Sequence, residues 1–348
     1  MGQMGQKERV RLGIVGLGIG QWHLEEFRKV PGAEVVALCD KDERKLTEVG
    51  ERYGIRRLYK DYGELMEDPK VDAVSICLPN YLHAPAAVAA LDAGKHVLVE
   101  KPLARTPEEA EEIVRAKDRS GKKAMVAMKL RFLPESAYIR KLSEEGQFGE
   151  VYYGFNTYIR PVGEGIPKGW FYRKELSGGG ALIDNGVHLL DLNWYLMGCP
   201  RPVQAFGVTY AKFGPKGKGI PPEDAGAFDV DDFACGIVLF EDGASILIEN
   251  GWAAHVGGQT MEVRVFGTEG GASVWPFYIV RERDGRSYKE VPDLRKFHFP
   301  NQFQHFVECI LRDEEPISSL EEGVTVLRML VALYRSSEEG RSVPVDNS

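Results

Sequence analysis

The chain has 348 residues, 43% hydrophobic and 28% charged, enough for about two folded domains with sizeable cores. A formal net charge of -8 excludes a nucleic-acid surface as its main business, because phosphate binding needs concentrated positive charge; a local basic pocket stays open. Met1 to Arg11 is polar, with no apolar run of signal-peptide length, and no segment approaches the ~20 apolar residues of a membrane span, so a soluble, cytoplasmic protein without membrane contact is expected.

From Val10 to Met128, short β-branched runs alternate with longer amphipathic stretches, the spacing of βαβ units around a parallel sheet. Strands are predicted at Arg11–Val15, Glu34–Cys39, Ala73–Leu78, His96–Val99 and Ala124–Met128, and helices at Gln21–Lys29, Glu43–Tyr53, Pro85–Ala93 and Pro107–Arg119. The last helix has the clearest start: Thr106 as N-cap, Pro107 at the first helical position, then Glu108 and Glu109 in the first turn.

Between the first strand and helix runs Gly16-Leu17-Gly18-Ile19-Gly20-Gln21, a context in which glycines let the backbone approach a pyrophosphate at a helix N-terminus. The GxGxxG register puts Gln21 where a third glycine belongs, unless the loop is one residue short and Gly20 fills that role; a plain strand-to-helix turn is the bland alternative. Asp40 ends the second strand, where a carboxylate can bind the adenosine ribose hydroxyls and repel a 2′-phosphate. That favours NAD over NADP, although Lys41 follows directly and Asp40 also suits a strand-end turn. The five cysteines, Cys39, Cys77, Cys199, Cys235 and Cys309, are scattered and form no CxxC, so neither a disulfide framework nor a metal site is expected.

After Met128 the texture changes. Strands are predicted at Val151–Tyr158, Pro202–Tyr210, Phe233–Phe240, Ala244–Asn250 and Glu262–Phe266, with helices at Ala181–Leu196, Gln302–Leu311 and Leu320–Tyr334. Several strands follow one another without a helix between them, which predicts an open, mainly antiparallel α+β sheet. The fold expected is therefore α/β: a Rossmann dinucleotide-binding domain over 1–130 and a substrate-binding and oligomerisation domain over 131–348, with a mobile loop at Phe213–Pro222.

Asp184 and His188 stand four residues apart, so on a helix they share one face. His188 is the better general base, because an unperturbed imidazole titrates at about 6.5; Asp184 would orient it or bind a neighbouring hydroxyl. Read without further context, the pair is better taken as a helix-start carboxylate and a core histidine.

Two further spellings fall at ends of predicted strands, where an open parallel sheet binds its ligands: Leu78-Pro79-Asn80-Tyr81-Leu82-His83 and Glu100-Lys101-Pro102. With the glycine turn and Gly178-Gly179-Gly180-Ala181-Leu182-Ile183-Asp184-Asn185-Gly186-Val187-His188, they resemble the Gfo/Idh/MocA oxidoreductases, the glucose-fructose oxidoreductase and inositol dehydrogenase family. Four motifs in the family's order span most of the chain. The resemblance implies hydride transfer between a nicotinamide and a hydroxyl or carbonyl carbon of a sugar, sugar acid or cyclic polyol.

The resemblance also puts Pro79, Asn80, His83 and Glu100 on the cofactor side and Lys101 beside the reacting hydroxyl, where its ammonium would stabilise developing charge. It brings Lys129, Tyr158 and Arg160 towards the substrate, with Trp170 and Arg173 added from the preceding loop and Asp191 as a support behind His188. Trp170 suits the apolar face of a sugar and equally a packing anchor. Lys129, Arg160 and Arg173 permit an acidic substrate and equally read as solvated charges. An uncovered sheet face and the resemblance imply a homodimer or homotetramer. Two other classes stay open on the same fold: a glycoside hydrolase using NAD transiently, and a dinucleotide-sensing protein without catalysis.

Overall fold

The computed structural model describes residues 9–346 and comprises two compact units. One takes the described chain up to Ala127 together with Pro300–Val324; the other takes Met128–Phe299 and the described chain from Thr325.

The first unit is built on β1 (Val10–Val15), β2 (Ala33–Cys39), β3 (Arg57–Tyr59), β4 (Ala73–Ile76), β5 (His96–Val99) and β6 (Ala124–Val126). All pair in parallel, in the order β3-β2-β1-β4-β5-β6, that of the doubly wound dinucleotide-binding fold. The chain reverses direction across the sheet between β1 and β4, and the ends of those two strands carry the glycine turn and the Pro79–Asn80 segment. Leu12, Ile14 and Val15 of β1 and every residue of β4 are buried, as a strand covered on both faces requires.

The helices are α1 (Gly20–Phe27), α2 (Glu43–Tyr53), α3 (Tyr62–Glu67), α4 (His83–Asp92) and α5 (Pro107–Ser120). Thr106 caps α5 as expected, accepting from the Glu109 N–H, and Gly121 ends it in the left-handed region. Two elements, β3 and α3, are too short to show a period and were not foreseen from the sequence.

The chain leaves the first unit after Ala127 and returns to it at Pro300. Residues 300–324 fold with the first unit. Phe303 and Phe306 meet Phe27 edge-on at 4.8 and 6.4 Å, and Ser318 Oγ donates to the Val126 carbonyl at 2.9 Å. An amphipathic pattern shows that a helix has an apolar face, not which sheet that face meets.

The second unit holds β7 (Val151–Pro161), β8 (Pro202–Tyr210), β9 (Phe233–Phe240), β10 (Ser245–Ala254), β11 (Thr260–Gly267), β12 (Gly270–Ser273), β13 (Tyr278–Arg283), β14 (Arg286–Glu290) and β15 (Val343–Pro344). They form one sheet in the order β14-β13-β12-β11-β7-β10-β9-β8-β15, antiparallel except for the β7–β10 pair. Its helices include α6 (Pro134–Glu144), α7 (Lys174–Ser177) and α8 (Val187–Leu196). Helix α8 packs on β7, β10 and β11, and Gly154 on β7 leaves the room that Asn193 of α8 fills.

The opposite face of this sheet is apolar and only partly covered. Phe206, Ile237, Leu247 and Phe155 stand in one row across β8, β9, β10 and β7, and Arg264 of β11 lies over the Phe155 ring at 4.7 Å. Phe206, Tyr210 and Leu239 are exposed. Among the described residues, no helix is long and apolar enough to cross a membrane.

Candidate active site

The glycine turn explains each of its glycines separately. Gly16 has φ of +91°, and a Cβ there would lie 2.5 Å from the Cys77 carbonyl. A Cβ on Gly20, the first residue of α1, would press on Ile14 at 2.9 Å, so Gly20 provides the close helix-to-strand packing of a third glycine. Gln21 folds back instead, its Nε2 donating to the Leu17 carbonyl at 2.9 Å. Gly18 is exposed, with nothing within 4 Å of its Cβ position. A bare backbone opening onto a helix start, where the first N–H groups lack intrahelical partners, fits a bound pyrophosphate.

Asp40, at the end of β2, is buried and partly engaged. Its Oδ2 accepts from the Leu17 N–H at 2.7 Å and from Lys45 Nζ at 3.3 Å, and its Oδ1 accepts from the Asp42 N–H at 2.9 Å. The carboxylate thus ties the glycine turn to β2. Carboxylate oxygens offer about four acceptor sites, which leaves capacity for a ribose hydroxyl.

At the ends of β4 and β5, His83 bridges two loops. Its Nδ1 lies 2.7 Å from the Pro102 carbonyl and its Nε2 lies 2.8 Å from the Leu78 carbonyl. Burial lowers the pKa of this ring, against two carbonyl acceptors that both ask for an N–H. With both nitrogens so committed, His83 braces the Pro79–Asn80 and Lys101–Pro102 segments. Asn80, beside it, is also buried. Glu100 Oε2 accepts the Lys101 N–H at 3.1 Å, while its Oε1 meets Nε2 of the fully buried His23 at 2.9 Å. Burial would raise the Glu100 pKa, but His23 and Lys101 together outweigh it and hold the carboxyl below its ordinary value.

In the second unit, the three-glycine run is dictated by contact. Gly178 ends α7 at φ +87°. A Cβ on Gly179 would meet Tyr334 Oη at 2.4 Å, and one on Gly180 would meet the Asp231 carbonyl at 1.9 Å. Asp231 then gathers the start of the next helix. Its Oδ1 accepts from the Gly180 N–H at 2.8 Å and from Tyr334 Oη at 2.7 Å, its Oδ2 from the Leu182 N–H at 2.9 Å, and its carbonyl from the Ala181 N–H at 3.0 Å. Burial raises the Asp231 pKa despite these donors, and it likewise pushes the Tyr334 phenol well up.

That helix begins as a π-helical turn, Leu182–Gly186, and continues as α8. The spacing from Asp184 to His188 therefore starts on a wider turn than the α-helix expected, a distortion often found at functional sites. Trp252 Nε1 donates to Asp184 Oδ2 at 3.0 Å. Within α8 every residue except His188 is buried. A helix apolar all round would ordinarily bury a histidine too, so His188 reaching partial exposure departs from the core-histidine reading.

The remaining candidates have local partners. Arg160 donates through Nε and Nη2 to Tyr158 Oη, at 3.0 and 2.6 Å, and through Nη1 to the Gly165 carbonyl at 3.2 Å. A substrate carboxylate is not needed to account for it. Trp170 stacks on Phe171 at 3.9 Å, and Arg173 is exposed at the start of α7. Asp191 is taken up by Arg131, with Nε to Oδ2 at 2.9 Å and Nη2 to Oδ1 at 2.5 Å, both side chains almost fully buried. Lys129 shares a short helical turn with Arg131.

Three side chains that contact the candidate residues were not singled out from the sequence: His23 behind Glu100, Trp252 on Asp184 and Asp231 at the helix start. Only His23 carried a signal, as a histidine on the buried face of the first helix. Among the described residues, no group of His, Cys, Asp or Glu is arranged to hold a metal ion.

Comparison with known proteins adds the following. Residues 10–128 match the family profile described as "Oxidoreductase family, NAD-binding Rossmann fold", and residues 136–273 match the "GFO/IDH/MocA C-terminal domain". The chain is 30% identical over 345 residues to D-glucoside 3-dehydrogenase of Escherichia coli, covering 96% of this chain and 97% of that protein. It is 28% identical to the NAD(+)-linked scyllo-inositol 2-dehydrogenase of Bacillus subtilis, covering 98% and 97% respectively. Levoglucosan dehydrogenase, solved with NADH and levoglucosan, superposes with a TM-score of 0.86 at 24% identity, over 97% of this chain and 100% of the other, a likeness of fold.

Proposed function

The chain belongs to the Gfo/Idh/MocA family of NAD-binding oxidoreductases, and on that premise we propose that it is a dehydrogenase acting on a secondary hydroxyl of a sugar or polyol. The observation that carries this reading is the helix start in the second unit, where Trp252 fixes the Asp184 carboxylate and His188 alone among the α8 residues escapes full burial. Such a pair suits proton exchange with a hydroxyl.

The glycine turn, Asp40 and the segments braced by His83 would hold the dinucleotide, which when bound supplies the hydride acceptor or donor. NAD is favoured over NADP by the buried Asp40 carboxylate. Lys101 hydrogen-bonds the reacting oxygen and stabilises negative charge as its proton leaves. The His188 imidazole, in the second unit, suits exchange of a hydroxyl proton, and Asp184 would orient the ring or bind an adjacent hydroxyl.

The test is a panel of sugars and polyols with added NAD, headed by glucosides because of the 30% identical relative. Growth of NADH absorbance supports the dehydrogenase; glycoside cleavage without NADH supports a hydrolase; cofactor binding with neither outcome leaves a sensor. Lys101→Met and His188→Asn are each expected to lower kcat by roughly 10²- to 10⁴-fold.

We also infer a homo-oligomer formed through the apolar sheet face, supported by the row of Phe206, Ile237, Leu247 and Phe155. Sedimentation of Phe206→Asp tests it, since a mass unchanged from wild type, or a monomeric wild type, removes the idea. The five free cysteines support a reducing, cytoplasmic setting.

A further inference from the structure

Behind the Glu100-Lys101-Pro102 turn lies a buried line of polar groups. His23 Nε2 meets Glu100 Oε1 at 2.9 Å, and Glu100 Oε2 accepts the Lys101 N–H at 3.1 Å. A carboxylate only accepts, so Nε2 donates. On the other side of the ring, Nδ1 lies 2.7 Å from Ser75 Oγ, whose hydroxyl can donate to a neutral ring or accept from a charged one. Cys77 Sγ lies 3.7 Å beyond Ser75 Oγ. The remaining faces are aromatic: Trp22 at 5.3 Å, and Phe303 of helix Gln302–Arg312 at 4.8 Å.

We propose that His23 is a positioning residue for Lys101: its ring holds the Glu100 carboxylate in one orientation, and Glu100 in turn holds the backbone from which the Lys101 side chain is delivered to the reacting oxygen. The inference rests on the role given to Lys101 above. A buried ion pair is a poor way to gain stability, since well-packed apolar residues commonly serve as well. Its position behind Lys101 gives it another purpose. Burial disfavours the charged ring, but Cys77 and Glu100 outweigh it and raise the His23 pKa, so the ring keeps a proton for the Glu100 carboxylate. Engaged by His23 and by the Lys101 N–H, Glu100 competes less for the neighbouring Lys101 ammonium.

Two measurements test this, one independent of turnover. With ¹⁵N-labelled histidine, the signal lost in His23→Gln should report in the wild type a ring that carries its proton on Nε2 at pH 7. A ring whose Nε2 is unprotonated at pH 7 overturns the proposal. In His23→Gln, kcat should fall roughly 10- to 100-fold, the loss expected from misplacing a reacting group. NADH affinity, read by fluorescence, should stay within about twofold. The variant should also gain an acid limb in its pH profile, because Glu100 stays buried without its partner and protonates more readily. His23→Gln/Glu100→Gln should remove that limb and recover part of kcat.

A His23→Gln enzyme with wild-type kcat and pH profile sinks the proposal. So does one in which kcat, NADH affinity and thermal stability fall together without a new limb, the pattern of a merely structural residue. Should His23→Gln fail to fold, the signal is assigned through its coupling to Glu100 in labelled wild type, and the ring's protonation decides. Lys101→Met is the control: wild-type turnover there removes the reading of the site itself, whereas a crippled Lys101→Met beside a normal His23→Gln removes only the role of His23.

Discussion

Trp252 donates its indole N–H to Asp184 across 68 positions of sequence, from a ring packed among Ile166, Tyr172, Ala181 and Phe228. One bond of a carboxylate to a rigid donor leaves its other oxygen directed by the protein. Trp252→Phe keeps an aromatic in the same core and removes that donor. We expect kcat/KM on the best sugar to fall about 10- to 100-fold, or ~1.4–2.7 kcal/mol of transition-state stabilisation. The lost bond and the smaller ring should also cost about 1–3 kcal/mol of folding stability in urea. An unchanged kcat/KM would mean that Asp184 is oriented by something else.

Asp231 answers three successive N–H groups at the start of the helix that carries Asp184 and His188, a task normally shared by a local cap and water. Asp231→Asn puts an NH₂ group where N–H donors point, and should destabilise the protein by about 1.5–3 kcal/mol, the range for a hydrogen bond to a charged group. Gly180→Ala should do more harm, because its new methyl would stand 1.9 Å from a carbonyl oxygen and backbone would have to move. Urea unfolding orders the two. Finding Gly180→Ala the milder substitution contradicts the packing described.

What the sequence made legible follows from the range of the interactions involved. The parallel sheet and its helices were readable because β-branched runs and amphipathic periods are local. β3 and α3 were not, being too short for a period to repeat. Nor was the return of residues 300–324 to the first unit, which depends on Phe303 and Phe306 meeting Phe27. At the candidate site, Asp184, His188 and Lys101 were all singled out by resemblance, since the four-residue spacing of Asp184 and His188 alone favours a helix-start carboxylate and a core histidine. Trp252, Asp231 and Arg131 act on residues some 50 to 70 positions away, where no pattern in a single chain links donor to acceptor. Asp191 illustrates the converse: helical spacing placed it near His188, but its carboxylate belongs to Arg131.

Cofactor choice turns on charge at Asp40. Asp40→Asn keeps an oxygen for one of the Leu17 and Asp42 N–H groups and turns an NH₂ towards the other; it removes the negative charge that a 2′-phosphate would meet, and it leaves Lys41 and Lys45 nearby. The ratio of kcat/KM for NAD to that for NADP should fall by about tenfold or more, some 1.4 kcal/mol. A ratio that stays put assigns the discrimination to another residue.

Stability against acid should depend on His305. Its Nε2 accepts the Ile317 N–H at 3.0 Å, which requires an unprotonated nitrogen there. Burial lowers its pKa below the ordinary 6.5, with Glu308 and Glu314 opposing the shift. The sign follows: the unfolded chain binds this proton more readily than the folded one. The ring's contribution is therefore fully present above pH 6.5, and is lost as pH falls from there to the depressed folded value, at about 1.4 kcal/mol per unit of difference. His305→Gln can still offer an oxygen to Ile317 but does not titrate. Between pH 7 and 5 the variant should lose less Tm than wild type. Parallel Tm curves for the two proteins would show that His305 keeps the same proton affinity on folding, and that the Ile317 contact does not hold it neutral.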